Sequence, residues 1–220
     1  MASRNSAAKK VTVTAVSAAV LGFGAGQLFG TSTATAQPVA ATVAYTCQFH
    51  DGSALPMASK SSSALPRSVF ADEPMPEMGL YTVFSFGRTL DTKITSFSYP
   101  KKTGTIQVNS TRKVPLSGAN NVGLQIFAKS AETMPPLDLG EPYEFQDHGA
   151  LPKGFHYANA GTNTFSLGNV ILRLTVKDDA GTVISQAPNG DAYYTVNCTP
   201  NSGQTLTLGT FTSKPRAARR

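Results

Sequence analysis

Val170, Leu172, Leu174 and Val176 alternate with Ile171, Arg173, Thr175 and Lys177. A period of two sends the first set to one face of a β-strand and the second set to the other, so the segment predicts a strand with one buried face. Asp178-Asp179-Ala180-Gly181 then predicts a turn into Thr182-Val183-Ile184, since Asp and Gly supply the backbone geometry that hairpins need. The same grammar recurs downstream. Pro188-Asn189-Gly190-Asp191 predicts a turn into Tyr193-Tyr194-Thr195-Val196-Asn197-Cys198, and Asn201-Ser202-Gly203 a turn into 205–211. In that last run the apolar register moves from Leu206 and Leu208 to Phe211, which predicts a bulge at Gly209. Earlier strands are predicted at 43–49, 80–86, 92–99, 105–112, 122–129, 141–146 and 163–167, with no amphipathic helix after residue 36. The stretch 51–79 breaks the pattern with Pro56, Pro66, Pro74, Pro76 and three serines at 61–63. It is predicted as the loosest part of the chain, with one edge strand near Met57–Ser61. Short strands and turns at this spacing predict an all-β fold, a β-sandwich with Greek-key connections.

The N-terminus has a different pattern. Arg4, Lys9 and Lys10 precede an apolar, small-residue stretch from Val11 to Gly30, followed by Thr31-Ser32-Thr33-Ala34-Thr35-Ala36. A charged start, an apolar middle and an Ala-x-Ala end are the three parts of a secretory signal, which predicts cleavage after Ala36. A membrane anchor is the competing reading, because the stretch nearly reaches bilayer length. Gly22, Gly24, Gly26 and Gln27 dilute its hydrophobicity and favour cleavage. Export changes the reading of the two cysteines, Cys47 and Cys198. In an oxidising compartment they predict one disulfide. Both alternate onto apolar faces, Cys47 with Val43, Tyr45 and Phe49, and Cys198 with Tyr194 and Val196. A redox role would need closer spacing and a basic neighbour to lower a thiol pKa. Closing so long a loop stabilises a fold by roughly 4–5 kcal/mol on the chain-entropy account.

The 220 residues carry a formal charge of +6, but the excess sits at the ends. Arg4, Lys9, Lys10, Lys214, Arg216, Arg219 and Arg220 account for seven of the 19 basic residues, which leaves the body near balance with the 13 acidic ones. That excludes a broad nucleic-acid footprint. The basic tail could touch an anionic polymer or membrane surface, though such ends are more often solvated termini. The organisation predicted is a signal peptide at 1–36, one β-sandwich domain at 37–213 and a basic tail at 214–220.

Tyr45-Thr46-Cys47-Gln48-Phe49 near the start resembles the Tyr-Thr-Cys-x-Phe opening of a family of secreted actinobacterial domains of unknown function. Thr195-Val196-Asn197-Cys198-Thr199-Pro200, Asn201-Ser202-Gly203-Gln204 and Leu208-Gly209-Thr210-Phe211 resemble its closing motifs. Leu172-Arg173-Leu174-Thr175 with its following turn also fits. The resemblance spans about 41–212, is specific only at the two ends, and departs from the family between 51 and 80. It implies a disulfide-closed, Ig-like sandwich exported by a Gram-positive cell, and brings no catalytic residues.

Residues able to do chemistry are sparse. The three histidines are His50, His148 and His156. Asp147, His148 and His156, read as a loop cluster beside Gly149 and Pro152, form the one candidate polar site, for a metal or with a serine for hydrolysis. No His-Glu-x-x-His motif and no Gly-x-Ser-x-Gly elbow accompanies them. Asp178, Asp179, Asn189 and Asp191 read as turn chemistry rather than as calcium ligands. The chain has no tryptophan, the strongest sugar platform, and most of its tyrosines alternate as core residues do. No metal or other cofactor is expected. A further candidate is the uncharged, β-compatible arm Gln37, Pro38, Val39, Ala40, Ala41, Thr42 and Val43. It suits pairing with the edge of another protein, or extension of the first strand of its own domain.

The leading expectation is therefore a secreted, non-enzymatic binding or structural module of the cell envelope or of an extracellular assembly. Its expected partner is another secreted or envelope protein, with a wall glycan as a further option and nucleic acid excluded. The alternatives are a secreted hydrolase or metal-dependent enzyme using Asp147, His148 and His156, and a secreted inhibitor presenting the proline-rich 51–79 segment.

Overall fold

A computed structural model describes residues 35–71, 73–87, 90, 105–129, 143–150 and 156–215, with backbone only at 105 and 124–129. Residues 1–34 of the segment expected as a signal peptide at 1–36, the strand expected at 92–99 and the tail beyond Pro215 lie outside the described residues. Every element described is a β-strand: β1 Ala36–Gln48, β2 Ala54–Pro66, β3 Ser68–Phe70, β4 Gly79–Phe86, β5 Thr105–Gly118, β6 Val122–Lys129, β7 Tyr143–Ala150, β8 Gly161–Ser166, β9 Val170–Lys177, β10 Tyr194–Pro200 and β11 Thr207–Lys214. They form one sheet in the order β3-β11-β8-β5-β9-β10-β1-β2-β4-β7, with β6 on the other edge of β5. The sheet curls until β6 lies beside β7. Side chains of β5 thereby cross the interior to meet β2 and β4.

Alternation sets the inner face, and the sequence shows it plainly in most strands. Val170, Leu172, Leu174 and Val176 are buried, as are Tyr194, Val196 and Cys198 on the neighbouring strand. The cysteines meet where their strands do. Cys47 of β1 stands directly opposite Cys198 of β10, and the disulfide joins these adjacent antiparallel strands with Cα atoms 3.9 Å apart. Ala44 directs both its N–H and its C=O to the 201–204 turn rather than to β2. That fixes the phase of β1: even-numbered residues bond toward β10 and odd-numbered ones toward β2. Cys47 and Cys198 thus form a non-hydrogen-bonded pair, the kind in which facing side chains approach most closely.

β8 and β9 are one long strand interrupted by a bulge. Arg112 pairs with Val170 and Leu116 with Phe165, so four steps along β5 face five along its partner. The extra residue falls in Leu167-Gly168-Asn169, where Gly168 donates to Lys113 O and Lys113 donates to Asn169 O. A Cβ on Gly168 would lie 3.0 Å from that same Lys113 oxygen. Pro115, with no N–H to lose, sits opposite the bulge. Bulges bend a strand and raise its twist, and here the sheet divides. β9 goes on to β10 and β1, while β8 goes to β11 and the short parallel strand β3. The bulge expected at Gly209 is present, as a register shift between Thr207 and Gly209. Its reason is packing: a Cβ there would meet Val39 Cγ1 at 2.7 Å and Leu65 Cδ1 at 2.8 Å.

Three expectations need correction. The segment at 51–79 is not the loosest part of the chain. Its first half is β2, an interior strand paired along its full length with β1 and from Met57 to Ser63 with β4. Pro56 and Pro66 do not block it, because both lie beyond the β4 ladder and their missing N–H groups face the side that β4 leaves uncovered. The strand expected at 141–146 runs from Tyr143 to Ala150, so Asp147 and His148 are strand residues. Thr182-Val183-Ile184 contributes only a bridge from Val183 to Lys177, while the turn before it forms as read, with Asp178 Oδ1 accepting from Thr182 N.

Two stability predictions follow from this frame. Replacing both cysteines by alanine is expected to lower the unfolding free energy by about 4–5 kcal/mol, measured by urea titration against the oxidised protein. Gly168→Ala is expected to cost about 1–3 kcal/mol in the same measurement, because the neighbour it meets is backbone and cannot rotate away.

Candidate functional site

Four consecutive inner-face rows run across β1, β2, β4 and β7. Cross-strand partners place Tyr45, Met57, Phe86 and Tyr143 in one row, and Val43, Ser59, Phe84 and Phe145 in the next. Ala41, Ser61, Thr82 and Asp147 form the third, followed by Val39, Ser63, Leu80 and Gly149. The third row is the unusual one. Ser61, Thr82 and Asp147 are polar, yet Ser61 is fully buried, Thr82 is 2% exposed and Asp147 6%. Their partner comes from β5, whose inward positions include Ser110 and Arg112.

Arg112 is 2% exposed. Its Nη1 donates to Ser61 Oγ at 2.6 Å and to Thr82 Oγ1 at 3.0 Å. The guanidinium lies over the Phe84 ring, 4.8 Å from its centroid, where the ring's negative face attracts it. Ser110 donates its hydroxyl to Asp147 Oδ2. Burial pushes the Asp147 carboxyl above its ordinary range, against the lowering effects of the Ser110 hydrogen bond and the Arg112 charge. Burial likewise lowers Arg112, with Tyr45 and Asp147 acting in the other direction. Tyr45 has its phenol raised by burial, and it donates to Gly168 O at 3.1 Å. The polar centre is thereby tied to the bulge that divides the sheet.

The cluster expected from Asp147, His148 and His156 does not assemble. Asp147 and His148 are neighbours in a strand, so they face opposite sides of it. Asp147 points inward to Ser110, while His148 is exposed and packs against Tyr81 with ring centroids 4.8 Å apart. His156 is exposed, at an isolated bridge to Pro74. His50 stacks on Tyr194 with centroids 5.5 Å apart. Among the described residues no three of His, Cys, Asp or Glu gather closely enough to hold a metal ion. Asp178 and Asp191 accept from groups of their own turns.

The arm at 37–43 is the N-terminal half of β1. It pairs in cis, residue for residue, with Ser59–Leu65 of β2. The β10 ladder covers only Tyr45–Gln48, and Gln204 closes the next position by giving Ala44 an amide oxygen and an amide N–H. Beyond that point, among the described residues, no strand pairs with the far edge of β1. By the phase that Ala44 sets, Thr42 and Ala40 present N–H and C=O to this edge and Pro38 presents C=O. All three residues are exposed, and no partner for these outward groups occurs among the described residues. Gln37 Nε2 reaches across to Thr210 O at 2.6 Å and marks the edge's other end. The arm was legible as β-compatible and uncharged. Arg112 was not singled out, because an arginine in the run Asn109-Ser110-Thr111-Arg112-Lys113 reads as solvated; its parity with Ile106, Val108 and Val114 was the available signal.

The sign of Asp147's shift sets a pH dependence. The folded carboxyl sits above the ordinary value of 3.8, so the folded state binds the proton more tightly than the unfolded chain. This contribution to stability is present below the unfolded value and is lost as pH rises through the folded one. Denaturant midpoints between about pH 3 and pH 8 are expected to fall over that window, and Asp147→Asn is expected to flatten the fall.

Comparison with family models, with curated proteins and with solved structures finds no match to the chain.

Proposed function

We propose that the protein is an exported, non-enzymatic binding or structural module that docks a strand of another secreted or envelope protein on the open edge of β1. The edge itself carries this reading. An exposed strand with unpaired N–H and C=O groups is a template for strand addition, and native edges are usually blunted by charge. From Gln37 to Val43 this one carries none. Export is supported by the charged, apolar and Ala-x-Ala segments at the N-terminus and by a disulfide, a bond that persists in oxidising compartments. The likeness of the Tyr45–Phe49 and Cys198–Gln204 motifs to a secreted actinobacterial family points the same way. The all-β sheet and its disulfide support an Ig-like sandwich in variant form, with the bridge between neighbouring strands instead of between facing sheets. The separation of Asp147, His148 and His156 removes the observation that favoured an enzyme.

Ala40→Pro tests the docking. It deletes one outward N–H and leaves the β2 ladder whole, as Pro38 does two residues earlier. Losing one strand hydrogen bond and seating a ring on the edge is expected to weaken recovery of a co-purifying extracellular partner about tenfold, with an unchanged urea midpoint. Ala41→Pro is the control, since its N–H faces β2 and its loss is expected to lower the midpoint. Recovery that is identical for Ala40→Pro and the native protein would sink the proposal.

A further inference from the structure

We infer that the interior between β5 and β7 is a hydration site, in which ordered water bridges the guanidinium of Arg112 to the carboxylate of Asp147. Arg112 uses only one corner of its guanidinium on protein. Nη1 serves Ser61 and Thr82, but Nε and Nη2 have no hydrogen-bond partner. Three N–H hydrogens, one on Nε and two on Nη2, are thus unmatched in a side chain that is 2% exposed. On the opposite strand Asp147 Oδ2 is occupied by Ser110, while Oδ1 is buried and unmatched. No direct hydrogen bond joins the two charged groups, although each feels the other's charge.

Buried donors and acceptors of charged groups are rarely left bare, because each costs more than a typical hydrogen bond contributes. The unmatched fork therefore needs acceptors, and Oδ1 needs a donor. Water is both. The row that Nη1 reaches is built of small side chains, Ser61 and Thr82, between the row of Phe84 and the row of Leu80. A water there has several polar partners to hold it, namely Arg112 Nε and Nη2 and Asp147 Oδ1. An anion such as a carboxylate or phosphate would also suit the Nε and Nη2 fork. It would, however, set a second negative charge against Asp147 and leave the interior with a net charge, whereas water adds none. The charge count favours water.

The test is a crystal structure of the oxidised protein at about 1.5 Å, combined with water-proton relaxation measurements in solution. The expected result is density for water between the Arg112 fork and Asp147 Oδ1, with at least one long-lived water in solution. A direct Arg112–Asp147 contact without water overturns the inference, and so does polyatomic anion density in the fork. A paired substitution supplies a second measurement. Arg112→Met with Asp147→Leu is expected to remove the long-lived water signal, and each single change is expected to unfold at lower temperature than the pair. Retention of the signal in the folded double variant overturns the assignment. If the double variant does not fold, the density and relaxation of the native protein decide the matter.

Discussion

The interior of this sheet is organised around one buried cation. Arg112 extends from β5 across the fold and binds hydroxyls on β2 and β4, with its face on Phe84. A buried guanidinium tolerates few surroundings, since desolvation is compensated only by well-placed hydrogen bonds and a counter-charge. The small polar residues opposite it are one consequence, and the inward placement of Asp147 is another. Ser61 and Thr82 are not defects in an apolar row; they are what the arginine requires of the strands that face it. Because the contacts bind β5 to strands far along the sheet order, they specify how the curled sheet closes as well as how tightly.

The disulfide acts on a different part of the same closure. It joins β1 to β10 at residues 151 apart in sequence, so it constrains the unfolded chain strongly. Between these two anchors lies the bulge at Leu167-Gly168-Asn169, held by Lys113 and by the Tyr45 hydroxyl. By dividing one long strand into β8 and β9 it sends β11 away from β10. Among the described residues the N-terminal half of β1 therefore has no strand paired to its outer edge, and β11 meets it only through contacts such as Gln37 with Thr210 O. The open edge is a product of the bulge more than of the arm's own composition.

Residues with catalytic potential are absorbed into this frame. Asp147 is committed to Ser110 and to the charge of Arg112, and its carboxyl is raised by burial. Perturbed carboxylates often mark functional sites; here the hydroxyl beside Asp147 is that of Ser110, and His148 turns to the other face of the strand. His148, its neighbour in sequence, belongs to the outer surface with Tyr81.

Local chemistry determined a good deal. Alternation is a property of successive residues, so the inner faces of β9, β10 and β5 were legible from Val170, Val196 and Ile106 alone. Turn chemistry is equally local, and the Asp178–Thr182 turn forms as its sequence implies. Both cysteines were placed on apolar faces for the same reason. What alternation cannot carry is the identity of the partner across the sheet. β2 was misread because three of its inward residues, Ser59, Ser61 and Ser63, are serines, and the inward place of Ser61 depends on an arginine far along the chain. Asp147 and His148 looked like a cluster because adjacency in sequence was visible, while the strand that turns them apart was read four residues short. The sequence by itself determined strand, turn and buried face. Tertiary structure alone decided which strands pair, where the sheet divides, which edge stays open and why a charge lies in the core, because each of those depends on contacts between residues far apart in the chain.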